Sequence, residues 1–145
     1  MLGQNISLWK GFYMRILIID GQGGKIGRAV AEAVLKELPG NEVDVIGTNA
    51  IATANMLKSG VKNAATGENP VVVMAPRADV IIGPVGIAVA DSMMGEVTPK
   101  MAMAVGQSSA KKILIPINRC DIMIAGVADL PLTEMIRRVI AMLRQ

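Results

Sequence analysis

Histidine is absent from this 145-residue chain and cysteine occurs once, at Cys120. The first absence removes the commonest general base and metal ligand. The second excludes an internal disulfide and a multi-cysteine metal site, so no metal is expected. Aromatic residues are equally scarce, with one Trp, one Tyr and one Phe. The basic residues are scattered, the densest spots being Lys111-Lys112 and Arg137-Arg138. Without a basic stripe or a stacking platform, nucleic acid is not an expected partner. The longest apolar run, around Val80 to Ala90, is interrupted by Gly83, Pro84 and Gly86. It falls far short of the ~20 residues a membrane-spanning helix needs. No membrane partner is expected, and the first 13 residues lack a signal-peptide apolar stretch and cleavage site. A cytoplasmic location is the resulting expectation.

What remains is a chain that is 52% hydrophobic and 19% charged, a balance suited to a globular α/β protein. Its core must come from Val, Ile, Leu, Ala and 11 Met. Regular patterning starts abruptly at Met14-Arg15-Ile16, so Met1 to Tyr13 reads as an N-terminal extension outside the fold. Residues 14–145 then form a single domain, a length at which one core suffices.

Arg15 to Asp20 (RILIID) is a short apolar run closed by Asp-Gly, the pattern of a central parallel strand buried on both faces. Ile26 to Leu38 has helical apolar spacing and stops at Pro39-Gly40. Glu42 to Gly47 predicts a second strand, Ala50 to Lys58 a second helix, and Val61 to Ala65 a weak third strand. Asn69-Pro70 predicts the start of a crossover helix, with Asn69 as cap and Pro70 at the first helical position. The β-branched Val71-Val72-Val73 leaves strand as the alternative there. Asp79 to Gly83, then Thr98-Pro99 capping a helix to Ser109, then Lys112 to Ile117 continue the alternation. Asp121 to Val127 predicts a sixth strand in an antiparallel hairpin, followed by a helix over Leu132 to Leu143. The expected architecture is a Rossmann-like three-layer α/β sandwich, mostly parallel in the order 3-2-1-4-5, with that hairpin strand at its C-terminal end.

The segment Gly21-Gln22-Gly23-Gly24-Lys25-Ile26-Gly27 lies between the first strand and the first helix, where a dinucleotide loop belongs. Glycines there let the chain turn tightly, admit a pyrophosphate and pack helix against strand. The helix N-terminus offers free N–H donors to an anion. A nucleotide phosphate is therefore the expected ligand, NAD(P) being one form; the other reading is a tight turn alone. Lys25 assists the anion or is simply solvated. The acidic residue that normally holds a ribose at the end of the second strand is missing, because that position reads Gly47-Thr48-Asn49. Thr48 and Asn49 bond a sugar or cap the second helix.

In a 3-2-1-4-5 sheet the first and fourth strands flank the ligand crevice, which brings Gly83 and Pro84 opposite the glycine loop, as ligand space or as a plain turn. Catalytic candidates are Glu68 as a general base, Arg119 as an anion clamp and Cys120 as a nucleophile activated by Arg119. Their structural alternatives are dipole complementation, a hairpin turn and a buried thiol. Met93-Met94 and Met101 to Met103 suit a core or a subunit interface.

The strings DGQGGKIG, GTNAIATANML, ATGEN, DVIIGPVGI, GEVTP and KKILIPINRC together resemble the bacterial family catalogued as domain of unknown function 3842, from Met14 to the C-terminus. The resemblance implies a Rossmann-like domain without an assigned activity. A looser likeness to short-chain dehydrogenases and dihydrodipicolinate reductases rests on Gly21, Gly24 and Gly27. The dehydrogenase Tyr-x-x-x-Lys pair is missing, since the sole tyrosine is Tyr13. The leading expectation is a homo-oligomeric nucleotide-binding module. Its alternative is a small oxidoreductase or transferase whose active site is completed at a homo-oligomer interface.

Overall fold

The computed structural model describes residues 13–117 and 121–145. Five strands alternate with helices: β1 (Arg15–Asp20), β2 (Glu42–Gly47), β3 (Asn63–Thr66), β4 (Val80–Pro84) and β5 (Lys111–Ile115). The helices are α1 (Lys25–Glu37), α2 (Ala50–Leu57), α3 (Glu68–Met74), α4 (Pro99–Gln107) and α5 (Leu132–Leu143). All strand pairs are parallel, as the alternation implies, and the order is β3-β2-β1-β4-β5, the expected one.

β1 sits at the centre because both its faces are apolar. Ile16 and Ile18 point into a core shared with α1, α2 and α5, while Leu17 and Ile19 point into a second core with α3 and α4. Successive strand residues face opposite ways, so an unbroken aliphatic run is what a sheet covered on both sides demands. The outermost strands carry fewer buried side chains. β3 (NAAT) is almost wholly exposed, and β5 opens with the exposed pair Lys111-Lys112.

Local chemistry sets the helix ends. The Asn49 side chain accepts the Ala52 amide at the start of α2, and the Thr98 hydroxyl accepts the Met101 amide at the start of α4. Val71-Val72-Val73 is helical, since Val71 is buried in the second core while its neighbours are exposed. The expected cap there moves upstream. Gly67, with φ 104°, precedes Glu68, and Pro70 takes the third position. It still lies within the first turn, where an amide has no intrahelical partner to lose.

The expected antiparallel strand over Asp121 to Val127 is not formed. Those residues are irregular, turn at Gly126 with φ 80°, and close with a bond from the Val127 amide to the Ile124 carbonyl. Ile122 and Ile124 are half-buried while Met123 is 93% exposed, so the run packs by one side. The turn intervenes before a ladder can develop, and among the described residues β5 pairs with β4 alone. No helix of the described residues is long and apolar enough to cross a membrane.

Ile18 is fully buried at the middle of the sheet, whereas Ile51 on α2 is 73% exposed. In urea unfolding, Ile18→Ala is expected to cost about 3–4 kcal/mol. Ile51→Ala should stay within about 0.5 kcal/mol; equal losses would contradict this placement of the core.

Candidate functional site

The carboxyl ends of β1, β2 and β4 converge on the bend Gly21 to Gly27, between β1 and α1. Asp20, the last residue of β1, is buried and anchors both ends of that bend. One carboxylate oxygen accepts the Gly21 amide at 2.7 Å and the other the Gly27 amide at 2.7 Å. Burial raises its pKa above the ordinary value, against the lowering effect of the Gly27 and Gly21 amides, and the charge of Glu96 pushes it the same way as burial.

Glu96 lies in the loop between β4 and α4. Its Oε1 accepts three hydrogen bonds, from the Gln22 amide at 2.8 Å, the Thr48 hydroxyl at 2.6 Å and the Asn49 side-chain amide at 2.7 Å. Burial acts to raise the Glu96 pKa, but the bonds from Thr48, Gln22 and Asn49 together outweigh it and hold the carboxyl below its ordinary value. The first βα turn thus already holds an anion, and that anion belongs to the protein. Asn49 also donates to the Gln22 carbonyl and Asn55 to the Gly23 carbonyl, each at 2.9 Å, so α2 braces the bend from the side.

The three spaced glycines each face protein. A Cβ on Gly21 would meet Thr48 Oγ1, Met93 Sδ and Glu96 Oε1, and one on Gly27 would meet Met56. Gly24 has φ 72°, a left-handed conformation that disfavours side chains, and a Cβ there would lie 2.6 Å from the Ala52 carbonyl oxygen. Gly23 differs: nothing lies within 4 Å of its Cβ position, and its φ is not left-handed. The Gly24 amide is spent on the Gly21 carbonyl at 2.9 Å. The exposed Gly23 and Lys25 have no amide hydrogen bond among the described residues. Beside them is a recess of about 60 Å³ lined by residues 20–26, Pro84 and Met93. Formed small-molecule sites are larger, roughly 300–1,000 Å³.

Several expected residues are therefore gathered at one place: Gly21, Gln22, Gly23, Gly24, Lys25 and Ile26 line the recess with Pro84, while Thr48 and Asn49 are turned onto Glu96. Asn49 both caps α2 and reaches the bend. Gly83 is buried against the Ile19 carbonyl, where strand packing requires it, and does not line the recess. Glu68 opens α3 after β3, an edge strand two places from β1, or about 10 Å across the sheet. Arg119 and Cys120 lie outside the described residues. Two roomier hollows lie elsewhere, one of about 400 Å³ between β5 and α5 and one of about 640 Å³ between α3 and α4. The first is lined mainly by aliphatic residues, and the second by Val72, Pro76, Met103 and Ala104 with Lys100, Gln107, Ser108 and Ser109.

Glu96 was missed in reading the sequence. The available signal was a lone carboxylate among Met93-Met94-Gly95 and Val97, on the loop that follows a strand flanking the crevice.

A family model described as Domain of unknown function (DUF3842) matches residues 15–145. No curated protein matches the chain.

Because Glu96 is held below its ordinary value of 4.5, its bonds contribute stability that is present above that value and lost as the pH falls through the lowered one. Asp20, raised from 3.8, acts with the opposite sign, adding stability at low pH that fades as the pH rises; burial is its main cause and is common to wild type and Glu96→Gln, which removes only the smaller effect of the Glu96 charge. The gap in melting temperature between these two proteins is expected to be flat from about pH 7 to 5 and to close below about pH 4. A calorimetric gap that widens on acidification would contradict the assignment.

Proposed function

This chain belongs to the DUF3842 family, and we propose that it is a Rossmann-like binding module for a nucleotide-type ligand whose phosphate lies on the bend between β1 and α1. The observation that carries the reading is the set of donors converging on the Glu96 carboxylate: a bend amide, a hydroxyl and a side-chain amide gathered where β1, β2 and β4 end. Donors fixed in advance around one oxygen suit any oxyanion, phosphate included. The uncommitted amides of Gly23 and Lys25 extend the set, and the positive end of α1 favours the charge. Thr48 and Asn49 are neutral donors at a strand end where a dinucleotide site would carry an acidic residue for the ribose, so under this reading they serve the phosphate, and a single phosphate fits the arrangement better than a full dinucleotide. NAD(P) is one ligand among nucleotides under this reading, and no step of chemistry is assigned.

A second, structural reading is favoured by the glycines themselves, because Gly21, Gly24 and Gly27 are all accounted for by Thr48, Ala52, Met56 and their neighbours. The enzymatic alternative gains nothing from Glu68, which opens a helix beyond β3 at the far side of the sheet.

Gly23 separates the two readings. Gly24→Val would force a side chain into the Ala52 backbone, whereas Gly23→Val projects into open space. Gly23→Val is expected to fold with stability within about 1 kcal/mol of wild type. It should weaken binding at least about tenfold, or about 1.4 kcal/mol, in isothermal titrations with ATP, NADH, NADPH, coenzyme A and FMN. If wild type binds none of these, or Gly23→Val binds equally well, the structural reading stands instead.

A further inference from the structure

The loop that carries Glu96 is unusual in its backbone. Asp91, Met93 and Met94 have φ of 65°, 56° and 58°, and Gly95 has 88°. Left-handed conformations at non-glycine residues persist only where surrounding contacts impose them. Here most of those contacts lie within the loop itself, the Ser92, Gly95 and Val97 amides bonding the Val89, Asp91 and Ser92 carbonyls. Met93 and Val97 are buried in the core with α4, internal bonds run from the Asp91 amide to the Val97 carbonyl and from the Glu96 amide to the Met93 carbonyl, and Glu96 reaches across to the bend. At the tip the Gly95 amide is shared between the Asp91 and Ser92 carbonyls, while the Met94 side chain is 98% exposed, so Glu96 is the loop's tie to the bend.

We infer that the Val89–Val97 loop is an autoinhibitory latch, in which the Glu96 carboxylate occupies the phosphate's donors and must leave before a ligand phosphate can be held. This rests on the binding reading above. A phosphate on the Gly23 and Lys25 amides would share the Gln22 amide and its surroundings with a carboxylate of the same sign. Asp20 already supplies one buried carboxyl beneath the bend, and the only cationic side chain of the bend itself is the exposed Lys25. Two anions on one set of donors repel, so each excludes the other. The 60 Å³ recess is then the closed form of a larger site. Release of Glu96 also frees the Thr48 hydroxyl and the Asn49 side-chain amide for the same phosphate. The strained backbone favours this, since the left-handed residues lose a tether that imposes their conformation.

The closed latch masks the site, so apparent affinity falls by the fraction of time the latch is open. For an open state populated a tenth of the time or less, removing Glu96 raises affinity at least about tenfold. The test uses the full chain and inorganic pyrophosphate, which reports on the phosphate donors whatever base the natural ligand bears. Pyrophosphate is titrated by calorimetry into wild type, Glu96→Gln and Glu96→Ala, each first checked for an intact fold by circular dichroism. Amide hydrogen exchange over residues 89–97 is followed with and without it. The expected result is at least tenfold tighter binding to both variants. Exchange over 89–97 in wild type should also rise on saturation toward the level of the free variants. Equal affinity in all three proteins, or binding to wild type with that loop still protected, overturns the latch and leaves the binding reading intact. Absence of binding to every form overturns the binding reading, and the latch with it.

Discussion

A carboxylate buried at the end of the central strand fixes the geometry on which the rest of this molecule's edge depends. Among the described residues no cation pairs with Asp20; its two oxygens instead close on the amides of Gly21 and Gly27, tying the strand end to the first turn of α1. Such charge-assisted bonds to backbone donors are among the stronger ones available inside a protein. They set the span of the bend, so that Gly27 comes close to Met56 of α2 and the Gln22 amide turns toward Glu96. Burial raising the Asp20 pKa shows that the arrangement is bought against a solvation cost, and the cost falls at the place where the chain must change from strand to helix.

Much of the fold was legible because its signals are local and mutually consistent. RILIID cannot place all its aliphatic side chains on one side of a strand, so it had to be central, and parallel pairing followed from the alternation of strands and helices; the order 3-2-1-4-5 was one of two common choices for that alternation. The C-terminal helix shows its apolar face at full contrast and lies where the spacing put it. The weak third strand was weak for a physical reason: NAAT runs along an exposed edge and has little to bury. The failed sixth strand had the opposite problem. DIMIAGV has strand-like composition, yet Gly126 takes a positive φ and the segment packs by one side, which pattern alone does not reveal.

The site was legible only in part. The glycine string marked the bend between β1 and α1, but not what fills it, because Gly21 and Glu96 are distant in sequence and meet through the parallel pairing of β1 with β4. A glycine spaced for a ligand and a glycine spaced for a protein neighbour look alike in one dimension. Gly24 and Gly23 are adjacent in sequence, and one abuts the Ala52 backbone while the other opens on free space. Thr48 and Asn49 were expected to bond a sugar or to cap α2; Asn49 does cap α2, and both donate to a carboxylate that reaches them from another loop.

The pairing of β1 with both neighbours has a consequence for assembly. β2 follows β1 after one helix, but Val80 must travel from far along the chain to lie beside Ile16. Contacts of long sequence separation are slow to form, so the pairing of β4 with β1 is a costlier step than that of β2 with β1. Until β4 docks, β1 is an open strand edge, the feature by which nascent α/β chains stick to one another. Since Glu96 follows β4, nothing sits on the bend until that edge is sealed: a filled bend marks a chain that has finished folding.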